Sequence, residues 1–301
     1  MSLLVTGSIG IDTVESPAGK VEDALGGSSI YFAQAASFFA PVRLVGVVGD
    51  DCPPEFLKPL EDNPQIDLAG LEVRAGSKTF RWHGRYHDDV NERDTVSVDL
   101  NVLAEAGPTI PDVFRDSDYV FLANTHPGLQ IELIDQLHGP TFVAADTMDL
   151  WINNERSTLM SLLGRVDAII VNDSEAKLLT GDANVVTAGL ELAGVVRQLV
   201  VVKKGEHGSL LFMGGNVYAL PSFPVTHVVD PTGAGDSFAG AMMGHLAATG
   251  RQDVATVRKA MAYGTVTASI ALENFSLSAL LGATRSDIDN RLAAFGEIVG
   301  F

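Results

Sequence analysis

A single cysteine, Cys52, stands among 301 residues, so no intrachain disulfide framework can hold the chain, and a reducing compartment is expected. Cys52 itself reads as a small, partly buried residue beside a loop. Basic residues are also scarce: 20 lysines and arginines face 38 acids, a formal charge of −18. Such a surface repels phosphodiester backbones and anionic lipid, which argues against nucleic acid or membrane as a partner. No apolar run reaches bilayer-spanning length. The opening MSLLVTGSIG has neither the basic start nor the long apolar segment of a secretory leader, and a cytoplasmic protein is expected. Internal repeats and low-complexity segments are missing. No glycine turn carries a lysine at P-loop spacing, and no early strand leads into a dinucleotide fingerprint, which disfavours nicotinamide chemistry. His83 and His87 share the spacing of some metal pairs but lack a third ligand, so histidine-based metal catalysis is not expected.

What is present is ordinary for a sizeable core: 46% hydrophobic and 19% charged residues. Short β-branched runs alternate with helix-compatible stretches. SLLVTG, VRLVGVVG, DYVFLAN, TFVAAD, DAIIVND and QLVVVKKG each have the length of a buried strand. Between them, SSIYFAQAASFFA, ERSTLMSLLGR, EAKLLTG and DVATVRKAMAYGTVTASIAL supply covering helices. A βαβ series of this kind predicts a mainly parallel sheet with helices on both faces. Residues 70–100 break the rhythm: in TFRWHGRYHDD, Phe80, Trp82 and Tyr86 alternate with polar residues, the pattern of a half-buried strand with one aromatic face. With residues 10–25, this region predicts a small β-flap beside the main sheet. Its aromatics either seal an interface or core or line a lid over substrate, and the same surface could also join two copies of the chain in a homodimer.

The stretch Asp230-Pro-Thr-Gly-Ala-Gly-Asp-Ser-Phe238 leads into a helical run. Glycines at a helix start allow backbone N–H groups to converge on an anion, here from Thr232 to Asp236. Asp236 beside that point could accept a proton from an attacking hydroxyl. Plain helix capping would explain Asp236 alone, but not the whole D-P-T-G-A-G-D string.

This string resembles the C-terminal signature of the ribokinase-like (PfkB) carbohydrate and nucleoside kinase family. Four further motifs agree in family order: GSIGID (7–12), LGGSS (25–29), NDSE (172–175) and KKGEHG (203–208). The resemblance implies one three-layer α/β/α domain over residues 1–301 with a discontinuous β-lid from about 10–25 and 70–100. It also implies an enzyme that uses ATP and Mg²⁺ to phosphorylate a primary alcohol of a sugar or nucleoside. In that scheme Asp236 takes the hydroxyl proton, and the amides of Gly233, Ala234 and Gly235 hold the γ-phosphate. Asn172 and Glu175 order Mg²⁺ through water. Lys203, Gly205, Gly208 and Thr232 serve the nucleotide, while Asp12, Gly26, Gly27 and Tyr31 serve the acceptor. Asp230 either binds a monovalent cation such as K⁺ or caps the anion turn.

The chain departs from the family pattern at two places. Tyr31 stands where sugar-binding members place an asparagine, and Asp146–Trp151 lacks the asparagine and arginine of the D-x-N-x-R stretch. Both concern the acceptor rather than phosphoryl transfer. With Phe80, Trp82 and Tyr86, Tyr31 would make an aromatic wall suited to a nucleoside base. A kinase of ribose or a related sugar is the leading expectation, and a nucleoside kinase acting on the 5′-hydroxyl is its rival. A catalytically silent sugar- or nucleotide-binding regulator on the same fold is the alternative from another class.

Overall fold

The computed structural model describes residues 1–300. The chain opens with β1 (Leu3–Thr6), then β2 (Gly10–Ser16) and β3 (Gly19–Gly26), and enters α1 (Ser28–Ser37). Next come β4 (Val42–Gly49), α2 (Pro54–Glu61), β5 (Ile66–Arg74), β6 (Phe80–Tyr86) and β7 (Arg93–Asp99). The middle of the chain runs β8 (Tyr119–Leu122), α3 (Pro127–Asp135), β9 (Phe142–Ala145), α4 (Asp149–Asn154), α5 (Arg156–Leu163) and β10 (Ala168–Asn172). It continues through α6 (Asp173–Thr180), α7 (Val185–Ala193), β11 (Leu199–Lys203), β12 (Ser209–Met213) and β13 (Asn216–Leu220). Four helices close it: α8 (Ala234–Thr249), α9 (Val254–Ala271), α10 (Ser278–Gly282) and α11 (Arg285–Val299).

Nine strands form the main sheet in the order β13-β12-β11-β10-β9-β8-β1-β4-β5. Every pairing is parallel except those of β12 with β11 and β13. Successive residues of a strand face opposite sides, and the apolar residues sort accordingly. Leu3, Val5, Tyr119, Phe121, Ile170 and Val201 enter one core with α1, α8 and α9. Leu4, Val120, Leu122, Ile169, Val171 and Val200 enter the other, with α5, α6 and α7. Because each strand is apolar on both faces, helices must cover both, and three layers result.

The remaining strands form a separate sheet ordered β3-β2-β6-β7. Its assembly joins β2 to β6 in parallel across a long sequence gap. The flap expected from 70–100 begins later in the structure: residues 70–74 pair with β4 in the main sheet. No helix among the described residues is long and apolar enough to cross a membrane.

Candidate active site

The site gathers at the carboxyl ends of the parallel strands, where open α/β sheets place ligands. Asn172 ends β10 and Lys203 ends β11, as neighbours in register. Asp146 directly follows β9, and Asp12 lies on β2. From the other face, α8 presents its first turn. Gly233 holds the cap position in left-handed conformation (φ 74°), which glycine adopts without the cost borne by other residues. Asp236 is therefore the third helical residue and not the cap. Gly235 and Asp236 lie within the first turn, where a helix offers no carbonyl to its own N–H groups.

The glycines of this turn are fixed by what they touch. A Cβ on Gly233 would stand 2.3 Å from the Tyr31 ring, and one on Gly235 would stand 2.6 Å from Lys203 Nζ. Lys203 thus lays its ammonium on the anion turn. Tyr31 is 2% exposed and supports the turn from beneath, so the aromatic wall expected to include it does not form there. Thr232 is likewise occupied: its amide donates to Asp230 Oδ1 at 2.8 Å and its hydroxyl to Tyr86 Oη at 3.2 Å. The Ala234 amide makes a long bond, 3.3 Å, to the Pro231 carbonyl. The anion donors are accordingly best sought at Gly233, Gly235 and Asp236.

Asp230 is 1% exposed. Its second oxygen accepts from the Ser276 amide at 3.0 Å, so both carboxylate oxygens already serve amides, as the turn-capping reading requires. Ser276 also donates to the Leu25 carbonyl at 2.5 Å, tying this loop to the diglycine. There, Gly26 leaves room for Asp12: a Cβ would lie 1.9 Å from Asp12 Oδ2. Gly27 has φ 101°, and its Cβ would lie 2.4 Å from the Ser8 carbonyl oxygen, a place open only to glycine. Asp12 Oδ1 is buried with no hydrogen-bond partner. Burial pushes the Asp12 carboxyl up to about 7, helped by the charges of Asp230 and Asp236 and opposed by a Gly27 amide bond.

Asn172 and Glu175 form a reciprocal capping box on α6: the Asn172 amide donates to Glu175 Oε2 at 2.8 Å, and the Glu175 amide to Asn172 Oδ1 at 2.7 Å. This fixes Glu175 by one oxygen and leaves the other. Burial raises its carboxyl to about 7, with Lys203 the largest opposing influence. Burial likewise raises Asp236 to about 6, against the charges of Lys203 and Arg93. Gly205 and Gly208 shape the turn after β11. Gly208 (φ 81°) would press a Cβ onto the Leu220 carbonyl oxygen at 2.1 Å, and Gly205 (φ 53°) would press one onto Asn91 Oδ1 at 2.5 Å.

Of the three aromatics expected on the lid, one reaches the site. Tyr86 is 7% exposed and meets Thr232. Phe80 instead packs on Gly10, and Trp82 lies across Gly84, so both fill the face of their own sheet. Two residues at the site were not assigned to it from the sequence: Asp146, met there only as the head of the Asp146–Trp151 stretch, and Arg93. Asp146 is 8% exposed with an unpaired Oδ1, and burial and the Asp236 charge hold its carboxyl far above the ordinary range. Its place at the head of that stretch, directly after a buried strand, was the available signal. Arg93, on β7, acts on Asp236 and Glu175 from the second sheet, and no local pattern announced it.

The chain matches the model of the pfkB family carbohydrate kinases over residues 9–281. It belongs to that family. A cytidine kinase of Thermococcus kodakarensis is 30% identical over 250 residues, covering 81% of this chain and 87% of the relative. In three dimensions the chain is similar to a nucleoside kinase of Burkholderia thailandensis in complex with inosine, with TM-score 0.77, 20% identity and 99% of each chain covered. It is also similar to aminoimidazole riboside kinase of Salmonella enterica complexed with aminoimidazole riboside and an ATP analogue, with TM-score 0.77, 18% identity and 97% and 100% coverage. At those identities the two structures speak for the fold. As a pfkB family member the chain is an ATP-dependent kinase of the sugar and nucleoside class.

Proposed function

We propose that the chain transfers the γ-phosphoryl group of ATP to the 5′-hydroxyl of a ribonucleoside. The observation that carries the acceptor is Asp12: a buried carboxylate oxygen without a partner, in a slot that Gly26 keeps clear. A carboxylate so placed fits a vicinal diol, whose two hydroxyls can both donate to it. A ribose ring supplies that diol whether or not it bears a base. The cytidine kinase, matched over most of both chains, favours the nucleoside over the free sugar that sequence motifs alone put first.

In this reading Asp236, in its ionised form, accepts the proton of the attacking hydroxyl. The hydroxyl oxygen bonds to the γ-phosphorus, and the bond from that phosphorus to the β,γ-bridging oxygen breaks, leaving the electron pair on ADP. The amides at the start of α8 and the Lys203 ammonium hold the charge on the transferring group, so positioning and electrostatics supply most of the rate. No cluster of three or more His, Cys, Asp or Glu among the described residues could hold a metal by itself. The free oxygen of Glu175 fits a magnesium ion bound chiefly to the nucleotide phosphates, which Glu175 would order through water. Such an ion would neutralise phosphate charge.

The test is ADP release and phosphorylated-product analysis across cytidine, other ribonucleosides, ribose and fructose, with Asp236→Asn as control. Turnover confined to nucleosides supports the proposal, and turnover confined to free sugars overturns it. Asp236→Asn is expected to lose 10²-fold or more, about what a general base contributes, while binding ATP normally.

A further inference from the structure

We propose that Ser276 is a positioning residue that sets the acceptor slot against the phosphate turn and so holds the two reactants in register. Among the described residues, three that are not glycine have left-handed backbone: Asp23, Asn101 and Ser276, the last with φ 54°. Asp and Asn visit that region at least cost, because their short side chains bond locally. The Ser276 hydroxyl bonds across the fold instead, donating at 2.5 Å to the carbonyl of Leu25, 251 positions earlier. Glycine would take the same backbone freely, so serine bears a cost there, and the hydroxyl is what glycine would lack. Strain held at such a place points to a role in the site.

The two polar ends of this one residue address different reactants. Its amide donates to Asp230 Oδ2 at 3.0 Å, and Asp230 Oδ1 accepts from the Thr232 amide at 2.8 Å, directly before Gly233 caps α8. Its hydroxyl holds the peptide plane that leads from Leu25 into Gly26. Gly26 is the residue that leaves room for Asp12, and the Gly27 amide bonds to the Asp12 carboxyl. Leu25 also opposes Ile11 in the β2–β3 ladder, beside Asp12 itself. Misplacing a bound hydroxyl by about 1 Å from its target can cost about 10²-fold in rate, and a direct tie between the two halves of the site prevents that displacement.

The inference rests on the kinase reading and on Asp12 as the residue that meets the acceptor. The test compares Ser276→Gly, Ser276→Ala and Ser276→Thr. Glycine and alanine remove the hydroxyl and threonine keeps it; glycine relieves the backbone, and alanine and threonine do not. Acceptor kcat/KM should fall about 10–10²-fold in Ser276→Gly and Ser276→Ala alike and return most of the way in Ser276→Thr. Melting temperatures should sort differently, with Ser276→Gly above both other variants. ATP affinity by calorimetry should stay within about twofold in Ser276→Gly, because the amide bond to Asp230 remains. Acceptor kcat/KM in Ser276→Gly within about twofold of wild type overturns the proposal, as do rates that simply follow the melting temperatures. Exchange of the Gly27 amide with solvent reads the slot without any acceptor and should quicken about tenfold in Ser276→Gly; an unchanged exchange rate also overturns the proposal. Turnover confined to free sugars defeats the nucleoside reading and leaves this test intact with that sugar as acceptor. If the wild type turns over no acceptor, the Gly27 amide decides.

Discussion

Two alanine substitutions in one turn should have opposite consequences. At Gly233, φ is 74° and a Cβ would lie 2.3 Å from Cγ and Cδ1 of Tyr31. These atoms are the base of a ring that is 2% exposed, so they have nowhere to go. The left-handed backbone costs an alanine about 1–2 kcal/mol, and forcing extra volume into a packed core costs about 1–3 kcal/mol more. Gly233→Ala should thus lose about 2–5 kcal/mol, a fall of roughly 3–8 °C in melting temperature for a chain of this size. Gly235 differs in both respects. It lies inside α8 with ordinary helical φ, and the nearest obstacle to a Cβ is Lys203 Nζ at 2.6 Å, the far end of a flexible side chain. Alanine in a helix is favoured over glycine by up to about 1 kcal/mol, so Gly235→Ala should melt at or above the wild-type temperature.

Its activity should nonetheless fall, because the methyl group occupies the space where the ammonium and the phosphate would meet. A loss of about 10²–10³ in kcat is expected, the scale of removing one anion-hole donor. The assay is a pair of melting curves beside initial rates of ADP release with saturating acceptor. Full activity in Gly235→Ala would refute the assignment of this turn to phosphate. A wild-type melting temperature in Gly233→Ala would refute the packing argument.

The carboxyls yield two further predictions. Because burial holds Asp236 at about 6, kcat/KM should fall on the acid side of that value, and Lys203→Met should move this limb to higher pH by removing the charge that keeps Asp236 ionised. Asp12, raised to about 7, binds its proton more tightly when folded, so stability is full below about pH 4 and declines as pH rises toward 7. Asp12→Asn should therefore stabilise the protein at pH 8 by roughly 1–3 kcal/mol and give no such gain at pH 4, while weakening the acceptor; denaturant melts at the two pH values check this.

The parallel sheet was legible because each of its buried strands is a short β-branched run, as in DAIIVND and QLVVVKKG, and both faces of such a strand demand a helix. The antiparallel edge formed by β12 and β13 was not, since β13 is half-exposed and only weakly patterned. At the site, motifs located the residues, but spacing alone could not say which way each side chain turns. Tyr31 follows Gly27 by four positions and looked like an acceptor contact. On α1, that offset carries it inward beneath Gly233. Phe80 and Trp82 share a face with Tyr86, as alternation predicted. Yet Gly10 and Gly84 open hollows within the sheet that those two rings fill, leaving only Tyr86 to reach across. Arg93 was illegible for a plain reason: its position depends on which residue of β6 it opposes, and register across a hairpin is a tertiary fact.

The acids at the cleft explain one another. Asp12, Asp146, Glu175 and Asp236 are each raised chiefly by burial, so the unliganded protein carries several carboxylates in a place that disfavours their charge. Two of them, Asp12 and Asp146, keep an oxygen with no hydrogen-bond partner, a state that costs stability unless something donates to it. Lys203 relieves Asp146, Glu175 and Asp236, and Arg93 relieves Glu175 and Asp236; neither cation figures among the influences on Asp12. In the proposed reading, the nucleotide side of the site is thus balanced by cations, and the acceptor side by neutral hydroxyl donors. That division is what an enzyme needs when one reactant is a polyanion and the other an alcohol. It places the boundary between them at Asp236, the one acid whose charge reaches both groups: it raises Asp12 on one side and Asp146 on the other.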